Sequence, residues 1–249
     1  MHNYFEGEIH KMENNILIAD DNQHLAVKLK TYIKKYNKTV TNIQIATNGV
    51  DARKIINENE PEIVILDLKM PECDGTKILK EITNKNIFVI VISGEIDFLN
   101  KINILDYKVI KRIYIKPFKF ENLNKDVEYL FETRHINFIE DKIEKELNVF
   151  KFNKNSKGYK YLVECLKYCY QQPELIENLE SFLFSKVSKN NNIKNSKKIK
   201  WTIQKTMYSM KRYTDKKIIL RYFPNKETFT IKNFITIFNN LIIEKYKIS

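Results

Sequence analysis

The chain has 249 residues with 43 Lys+Arg and 31 Asp+Glu, and it carries a formal charge of +12. Five Gly and five Pro are few for this length, which argues against collagen-like, low-complexity and turn-dense β-sandwich chains and favours helix. The basic excess lies entirely in residues 151–249, which hold 21 basic and 7 acidic side chains against 22 and 24 in residues 1–150. Length and this change of charge indicate two domains.

Other patterns narrow the function classes. No short window holds two glycines, so the sequence has neither a GxGxxG nor a GxxxxGK[ST] phosphate loop. The longest apolar run, Ile87–Ile92, is far shorter than the roughly 20 residues that cross a bilayer. Residues 1–13 lack the apolar core of a secretory signal, so we expect a cytoplasmic protein without a membrane partner. We expect Cys165 and Cys169 to be buried apolar residues rather than metal or redox ligands.

The first half of the chain alternates short apolar runs with amphipathic segments. The runs are Ile16–Ala19, Ile43–Ala46, Ile63–Leu66, Phe88–Ile92 and Ile113–Ile115. A helix is expected after each of them, the last one starting near Glu121. Strands that are apolar almost throughout are typical of a parallel sheet covered on both faces. The pattern predicts a doubly wound, five-stranded parallel α/β domain that ends near residue 127.

Polar residues follow four of these strands. They are Asp20 and Asp21 after the first strand, Asp67 after the third, Ser93 after the fourth and Lys116 near the end of the fifth. Ligands of such sheets bind beyond the carboxyl ends of the strands, where these side chains should converge. Carboxylates, a hydroxyl and an ammonium together suit Mg²⁺ and a phosphoryl group. Taken alone, the Asp-Asp pair is also typical of a helix N-cap.

Four segments resemble the receiver domains of two-component response regulators, which have a CheY-like, flavodoxin-like fold. They are ADDN (19–22), ILDLKMPECDG (65–75), SGE (93–95) and KPF (116–118), and the resemblance covers residues 14–127. It implies phosphoacceptor and autodephosphorylation chemistry rather than a separate enzyme activity. It also implies a sensor histidine kinase or phosphotransferase as phosphoryl donor.

The resemblance assigns a role to each site residue. Asp67 is the implied phosphoacceptor, and Ser93 and Lys116 are the implied contacts of the phosphoryl group. The implied Mg²⁺ ligands are Asp20, Asp21, Asp67 and the backbone carbonyl of Lys69.

Two residues depart from the receiver pattern. Ile113 stands where receivers usually carry an aromatic switch residue, and the neighbouring Tyr114 should point to the opposite face of the strand. Lys69 places a cation two residues after the acceptor, where it either alters the phosphoryl lifetime or remains solvated without a role. These departures question the usual aromatic switch and leave Tyr114 as the possible switch aromatic.

The second half predicts a small basic helical domain. Residues 128–150 should continue helically from the receiver, and KFNKNSKG (151–158) is the expected linker. Leu162, Cys165, Leu166 and Cys169 form one helical stripe, and Leu175, Leu179, Phe182 and Leu183 form another after Pro173. The predicted organisation is an N-terminal extension (1–13), a receiver (14–127), a helical extension and linker (128–156) and an effector domain (157–249).

A polar break near residues 189–192 separates a short helix from a longer one predicted over 196–213. Ile199, Ile203, Met207 and Met210 share one face of the longer helix. The pattern is typical of a helix-turn-helix that reads double-stranded DNA, and the +14 charge of residues 151–249 favours phosphate binding. The predicted DNA contacts are Lys197, Lys198, Lys200, Trp201, Gln204 and Lys205. The alternative is a solvated lysine face on an ordinary bundle helix.

Residues 157–247 resemble the effector domain of the stage-zero sporulation protein A family. The resemblance rests on KGYKYLVECL (157–166), the acidic segment from Glu174, residues 196–210 and a closing helix near Phe234–Lys245. It implies a transcription factor of sporulation initiation that dimerises when phosphorylated. Trp201 stands where the family carries a base-reading arginine. Two alternatives remain open: a phosphorelay receiver whose basic domain binds protein or RNA, and a DNA-binding regulator that works without phosphorylation.

Overall fold

A computed structural model of the chain describes residues 13–84, 86–94, 107–224 and 229–246. The described residues divide into two compact units, one within residues 13–135 and the other within residues 136–246. The expected helix after the fourth strand and Glu95 of the SGE segment fall outside the described residues. Within the described ranges, no helix combines the length and apolar character needed to cross a bilayer.

The first unit, within residues 13–135, is the predicted doubly wound α/β domain. Its strands are β1 (Asn15–Ala19), β2 (Asn42–Ala46), β3 (Ile63–Asp67), β4 (Phe88–Ser93) and β5 (Ile110–Ile115). They form one parallel sheet in the order β2-β1-β3-β4-β5. The described helices are α1 (Gln23–Tyr36), α2 (Gly49–Asn59), α3 (Gly75–Glu81) and the start of α4 (Phe120–Leu147). This confirms the fold class predicted from the apolar runs.

Alternate residues of the strands enter two separate cores. Ile16 and Ile18 of β1 pack with residues of α1 and α4, whereas Leu17 and Ala19 pack with residues of α2 and α3. Both faces of β1, β3 and β4 are therefore buried, which explains why these three strands are apolar between their ends. The edge strands β2 and β5 are only partly buried, and they also carry Gln44, Lys111 and Arg112.

The second unit is entirely helical over its described residues. After the last part of α4 come α5 (Lys157–Gln171), α6 (Phe184–Asn190), α7 (Ser196–Tyr213), α8 (Lys216–Tyr222) and α9 (Ile231–Tyr246). One apolar core joins them, and it includes Cys165 and Cys169, which are buried as predicted. Burial raises the pKa of the Cys169 thiol to about 12, which disfavours the thiolate form.

The helix expected after Pro173 differs from the prediction. A 3₁₀ segment (Pro173–Asn178) and a π segment (Leu179–Leu183) precede α6, and neither has a side-chain N-cap. Leu183 is fully buried, but Phe182 is 59% exposed. The change of helical period rotates Phe182 out of the stripe, because each residue of a 3₁₀ or π turn advances by a different angle from that of an α-helix. The predicted place of Phe182 in the core was wrong.

Candidate functional site

The predicted site residues meet at one edge of the sheet. Asp20 and Asp21 directly follow β1, Asp67 and Ser93 are the last residues of β3 and β4, and Lys116 directly follows β5. The strands are parallel, and at their carboxyl ends Asp67 is paired to Ile92 and Ser93 is paired to Ile115. The carboxyl ends of these strands therefore lie side by side.

Three carboxylates form a cluster at this edge. One carboxylate oxygen from each of Asp20, Asp21 and Asp67 lies within 4.8 Å of the other two. Asp20 and Asp67 are buried and Asp21 is exposed, so the cluster opens to solvent on one side. Oxygen ligands from carboxylates are what Mg²⁺ prefers, and an open side leaves room for the waters that it retains. The donor set fits Mg²⁺.

Lys116 bridges the two buried carboxylates. Its Nζ lies 2.8 Å from Asp20 Oδ2 and 2.5 Å from Asp67 Oδ2. Burial raises the pKa of Asp20, and the contacts with Lys116 and the backbone N–H of Asn22 offset part of that rise. Burial disfavours the charged ammonium of Lys116, but its contacts with the carboxylates of Asp20 and Asp67 outweigh burial and raise the pKa of Lys116. Lys116 is therefore held as a cation against Asp67.

Backbone groups fix the orientation of both buried carboxylates. The N–H of Asn22 donates to Asp20 Oδ1 (2.9 Å), and the N–H of Lys69 donates to Asp67 Oδ1 (3.1 Å). In each residue the other oxygen, Oδ2, faces Lys116. The N-cap of α1 is Asn22, whose side chain accepts from the N–H of Leu25. The Asp-Asp pair does not cap this helix.

Gly75 lets helix α3 begin close to the end of β3. A Cβ at this position would lie 2.4 Å from the carbonyl oxygen of Asp67. The N–H of Gly75 donates to the carbonyl of Leu68 (3.0 Å), which closes the loop that follows β3. The glycine in the CDG sequence is thus required by close backbone approach.

Ile113 and Tyr114 of β5 point to opposite faces of the sheet, as the alternation of side chains along a strand predicts. Ile113 packs with the core that contains α2 and α3, whereas Tyr114 packs with the core that contains α1 and α4. The Tyr114 hydroxyl donates to Asp126 Oδ2 (2.6 Å), and Arg112 Nε donates to Asp126 Oδ1 (2.9 Å). Burial and the bond to Asp126 raise the pKa of Tyr114. Asp126 was not predicted from the sequence, because no spacing rule relates it to β5.

In the second unit, α7 presents a basic and aromatic outer face. Ile199, Ile203, Met207 and Met210 are buried on its inner face. The predicted DNA contacts are all exposed, and they are Lys197, Lys198, Lys200, Trp201, Gln204 and Lys205. Trp201 is 61% exposed, and Lys205 Nζ lies 5.3 Å from the centre of its ring. Lys200 forms an ion pair with Glu180, a contact that the sequence did not reveal.

Comparisons with known proteins find relatives of the first unit. Residues 16–128 match the family model of the response regulator receiver domain. Sporulation initiation phosphotransferase F of Bacillus subtilis (strain 168) is 34% identical over 94 residues, which cover 36% of this chain and 73% of that protein. The probable C4-dicarboxylate response regulator DctR of the same strain is 33% identical over 120 residues, covering 47% of this chain and 52% of DctR.

A third relative is the transcriptional regulatory protein HptR of Staphylococcus aureus (strain NCTC 8325 / PS 47). It is 32% identical over 83 residues, which are 33% of each protein. The matched segments thus span about half of DctR and a third of HptR.

Proposed function

The chain belongs to the family of response regulator receiver domains, and from this premise we propose that it is a phosphorylation-dependent transcription factor with Asp67 as phosphoacceptor. A sensor histidine kinase or phosphotransferase is the proposed donor. The observation that supports this best is Lys116 Nζ, held 2.5 Å from an oxygen of Asp67 at the open end of the strands. The predicted cytoplasmic location is part of the proposal.

The residues of the pocket have distinct roles in this proposal. An oxygen of Asp67 attacks phosphorus, the bond between phosphorus and the donor breaks, and an acyl phosphate forms. Lys116 and the hydroxyl of Ser93 bind the oxygens of the transferred group. Asp20, Asp21, Asp67 and the backbone carbonyl of Lys69 would hold Mg²⁺, which supplies positive charge that offsets the repulsion between anions.

Phosphorylation is tested by incubating the chain with acetyl phosphate and Mg²⁺ and measuring the intact mass. We expect one added phosphoryl group, and we expect none in Asp67→Asn because that swap is nearly isosteric and removes the acceptor oxygen. Asp141→Asn is a matched control, because Asp141 is exposed and lies in the other unit. Unchanged phosphorylation of Asp67→Asn would contradict the assignment. Light scattering on the same samples tests the proposed phosphorylation-dependent homodimer.

Double-stranded DNA is the proposed partner of the second unit. Helix α7 follows the short helix α6 and a turn, and it exposes four lysines, Gln204 and Trp201 on the side away from the core. Residues 151–249 carry a net +14, and release of counterions from DNA phosphates favours binding by such a charge. We propose α7 as the recognition helix.

Genome-wide mapping of bound sites, with and without phosphodonor, tests the DNA proposal. We expect discrete sites that are occupied more strongly after phosphorylation, and a role in sporulation initiation would place them near sporulation genes. Binding to RNA or to a protein in place of duplex DNA would favour the phosphorelay alternative. Occupancy that is equal with and without phosphorylation would favour a regulator that works without it.

A further inference from the structure

A polar cleft of ≈650 Å³ lies within the second unit. It is bounded by the C-terminal part of α4, by α5 and by the end of α6. Its volume is in the range of small-molecule sites. The charged side chains that line it are Glu140, Glu144, Glu164, Lys154, Lys160 and Lys167. Charges of both signs at one cleft suit a ligand that itself carries both.

Tyr159 supplies a buried polar group to this cleft. Its side chain lines the cleft while the residue is only 2% exposed, and its ring lies 5.4 Å from that of Phe152. Among the described residues its hydroxyl has no hydrogen-bond partner. A buried hydroxyl without a partner destabilises the protein, so a polar ligand group beside it would be bound favourably.

The three carboxylates of the cleft differ in their ion pairs and hydrogen bonds. Glu140 forms an ion pair with Lys167 (2.5 Å), and Glu164 accepts hydrogen bonds from two asparagine amides at the end of α6. Glu144 is only partly exposed and has no ion pair or hydrogen bond within the described part of the chain. Burial, then Glu144 and Glu140, raise the pKa of Tyr159 to about 12, so both carboxylates act on its hydroxyl.

Two lysines of the cleft also lack an ion-pair partner among the described residues. Lys154 and Lys160 line the same cleft, are exposed, and form no ion pair with any described residue. We propose that this cleft binds a zwitterionic small molecule of the amino acid class. Its ammonium group donates to Glu144 and to the oxygen of Tyr159, and its carboxylate binds Lys154 and Lys160. The residues that line this cleft include neither Asp67 nor any of the predicted DNA contacts on α7.

The full chain is screened against each of the 20 L-amino acids by thermal shift, and hits are measured by calorimetry. 1,4-Diaminobutane and succinate are comparators that carry one kind of charge only. We expect at least one amino acid to bind at least tenfold more tightly than either comparator. No binding of any amino acid up to about 10 mM, or equal binding of 1,4-diaminobutane, would overturn the proposal.

Two variants separate binding from folding. Glu144→Gln should weaken binding at least tenfold, because the ammonium loses its charged partner, whereas Glu244→Gln, an exposed control in α9, should not. Tyr159→Phe should weaken binding about three- to tenfold without lowering the melting temperature of the free chain. A purely structural hydroxyl would instead lower that temperature and leave affinity unchanged. Binding that is unaffected by Glu144→Gln would overturn the site.

Discussion

Replacing Lys116 by Met tests the electrostatics of the receiver pocket directly. Lys116 is the cation between Asp20, which is fully buried, and Asp67, whose side chain is 7% exposed. Methionine keeps an unbranched side chain but leaves the two carboxylates facing each other without a positive charge. Loss of one partner from a buried ion pair costs about 3–5 kcal/mol. Because 22% of the Lys116 side chain is exposed, we expect a loss of about 2–3 kcal/mol without divalent cations.

Mg²⁺ should reverse this loss. A ligand that binds only the folded state at 100 times its Kd adds about 2.7 kcal/mol, which matches the expected deficit. The variant should also bind Mg²⁺ more tightly than the parent chain, because no ammonium group competes for Asp20 and Asp67. Urea unfolding followed by far-UV circular dichroism, in EDTA and in excess Mg²⁺, measures both effects.

Two controls make the result interpretable. Trp201 is the single tryptophan and lies in the second unit, so its fluorescence transition should not change in the variant. Lys77→Met removes an exposed lysine of α3 and should alter neither the stability nor the response to Mg²⁺. The reasoning is refuted if Lys116→Met is as stable as the parent chain in EDTA, or if Mg²⁺ stabilises both proteins equally.

Three further predictions concern the second unit. Trp201→Ala should weaken specific DNA binding by about 1–3 kcal/mol and leave nonspecific binding nearly unchanged, whereas Lys205→Ala should weaken both and flatten the salt slope by about one unit. Fluorescence anisotropy over a range of salt concentrations distinguishes them, and unfolding of Trp201→Ala would show that the tryptophan is structural. Gly158→Ala should destabilise the unit by about 1–3 kcal/mol in thermal unfolding, because the added Cβ would lie 2.5 Å from the carbonyl of Thr202; unchanged stability would contradict this packing.

The receiver fold was predictable because its signals are local. The strands β1, β3 and β4 are apolar runs that stop at a polar residue, and burial of both their faces leaves only the strand ends for Asp20, Asp67 and Ser93. Lys116 follows the edge strand β5. Parallel topology then brings these ends to one edge, so sequence order and strand position together predict the cluster. The boundaries of α7, Ser196 and Tyr213, are also those expected from its apolar period.

Other features could not be read from the sequence, because they depend on contacts between distant residues. The ion pair of Lys200 with Glu180 links α7 to the π segment, and that segment departs from the α-helical period that placed Phe182 in the core. Lys200 is one of the proposed DNA contacts, so in that proposal Glu180 would compete with DNA phosphates for it. An exposed ion pair of this kind contributes only about 0–1 kcal/mol, which phosphate contacts can replace.

The fixed position of Tyr114 bears on how a signal could leave the pocket. Its hydroxyl is bonded to Asp126, Asp126 also binds Arg112, and Arg112 lies 5.4 Å from the ring centre of Tyr129. Tyr114 is only half-buried, but its rotation would break the hydrogen bond to the Asp126 carboxylate, and hydrogen bonds to charged groups contribute about 1.5–3 kcal/mol. Ile113 packs on the other face of β5, and its side chain has no hydroxyl that could form a hydrogen bond with Ser93.

The backbone offers the more direct connection between the pocket and β5. The carbonyl of Ser93 accepts a hydrogen bond from the N–H of Lys116 (2.8 Å), and Ser93 is paired in register with Ile115. Both predicted phosphoryl contacts, Ser93 and Lys116, are therefore joined at the ends of β4 and β5. A phosphoryl group that draws the two side chains together acts on this backbone pair. We therefore expect β5 to respond to phosphorylation as a strand, without rotation of an aromatic side chain.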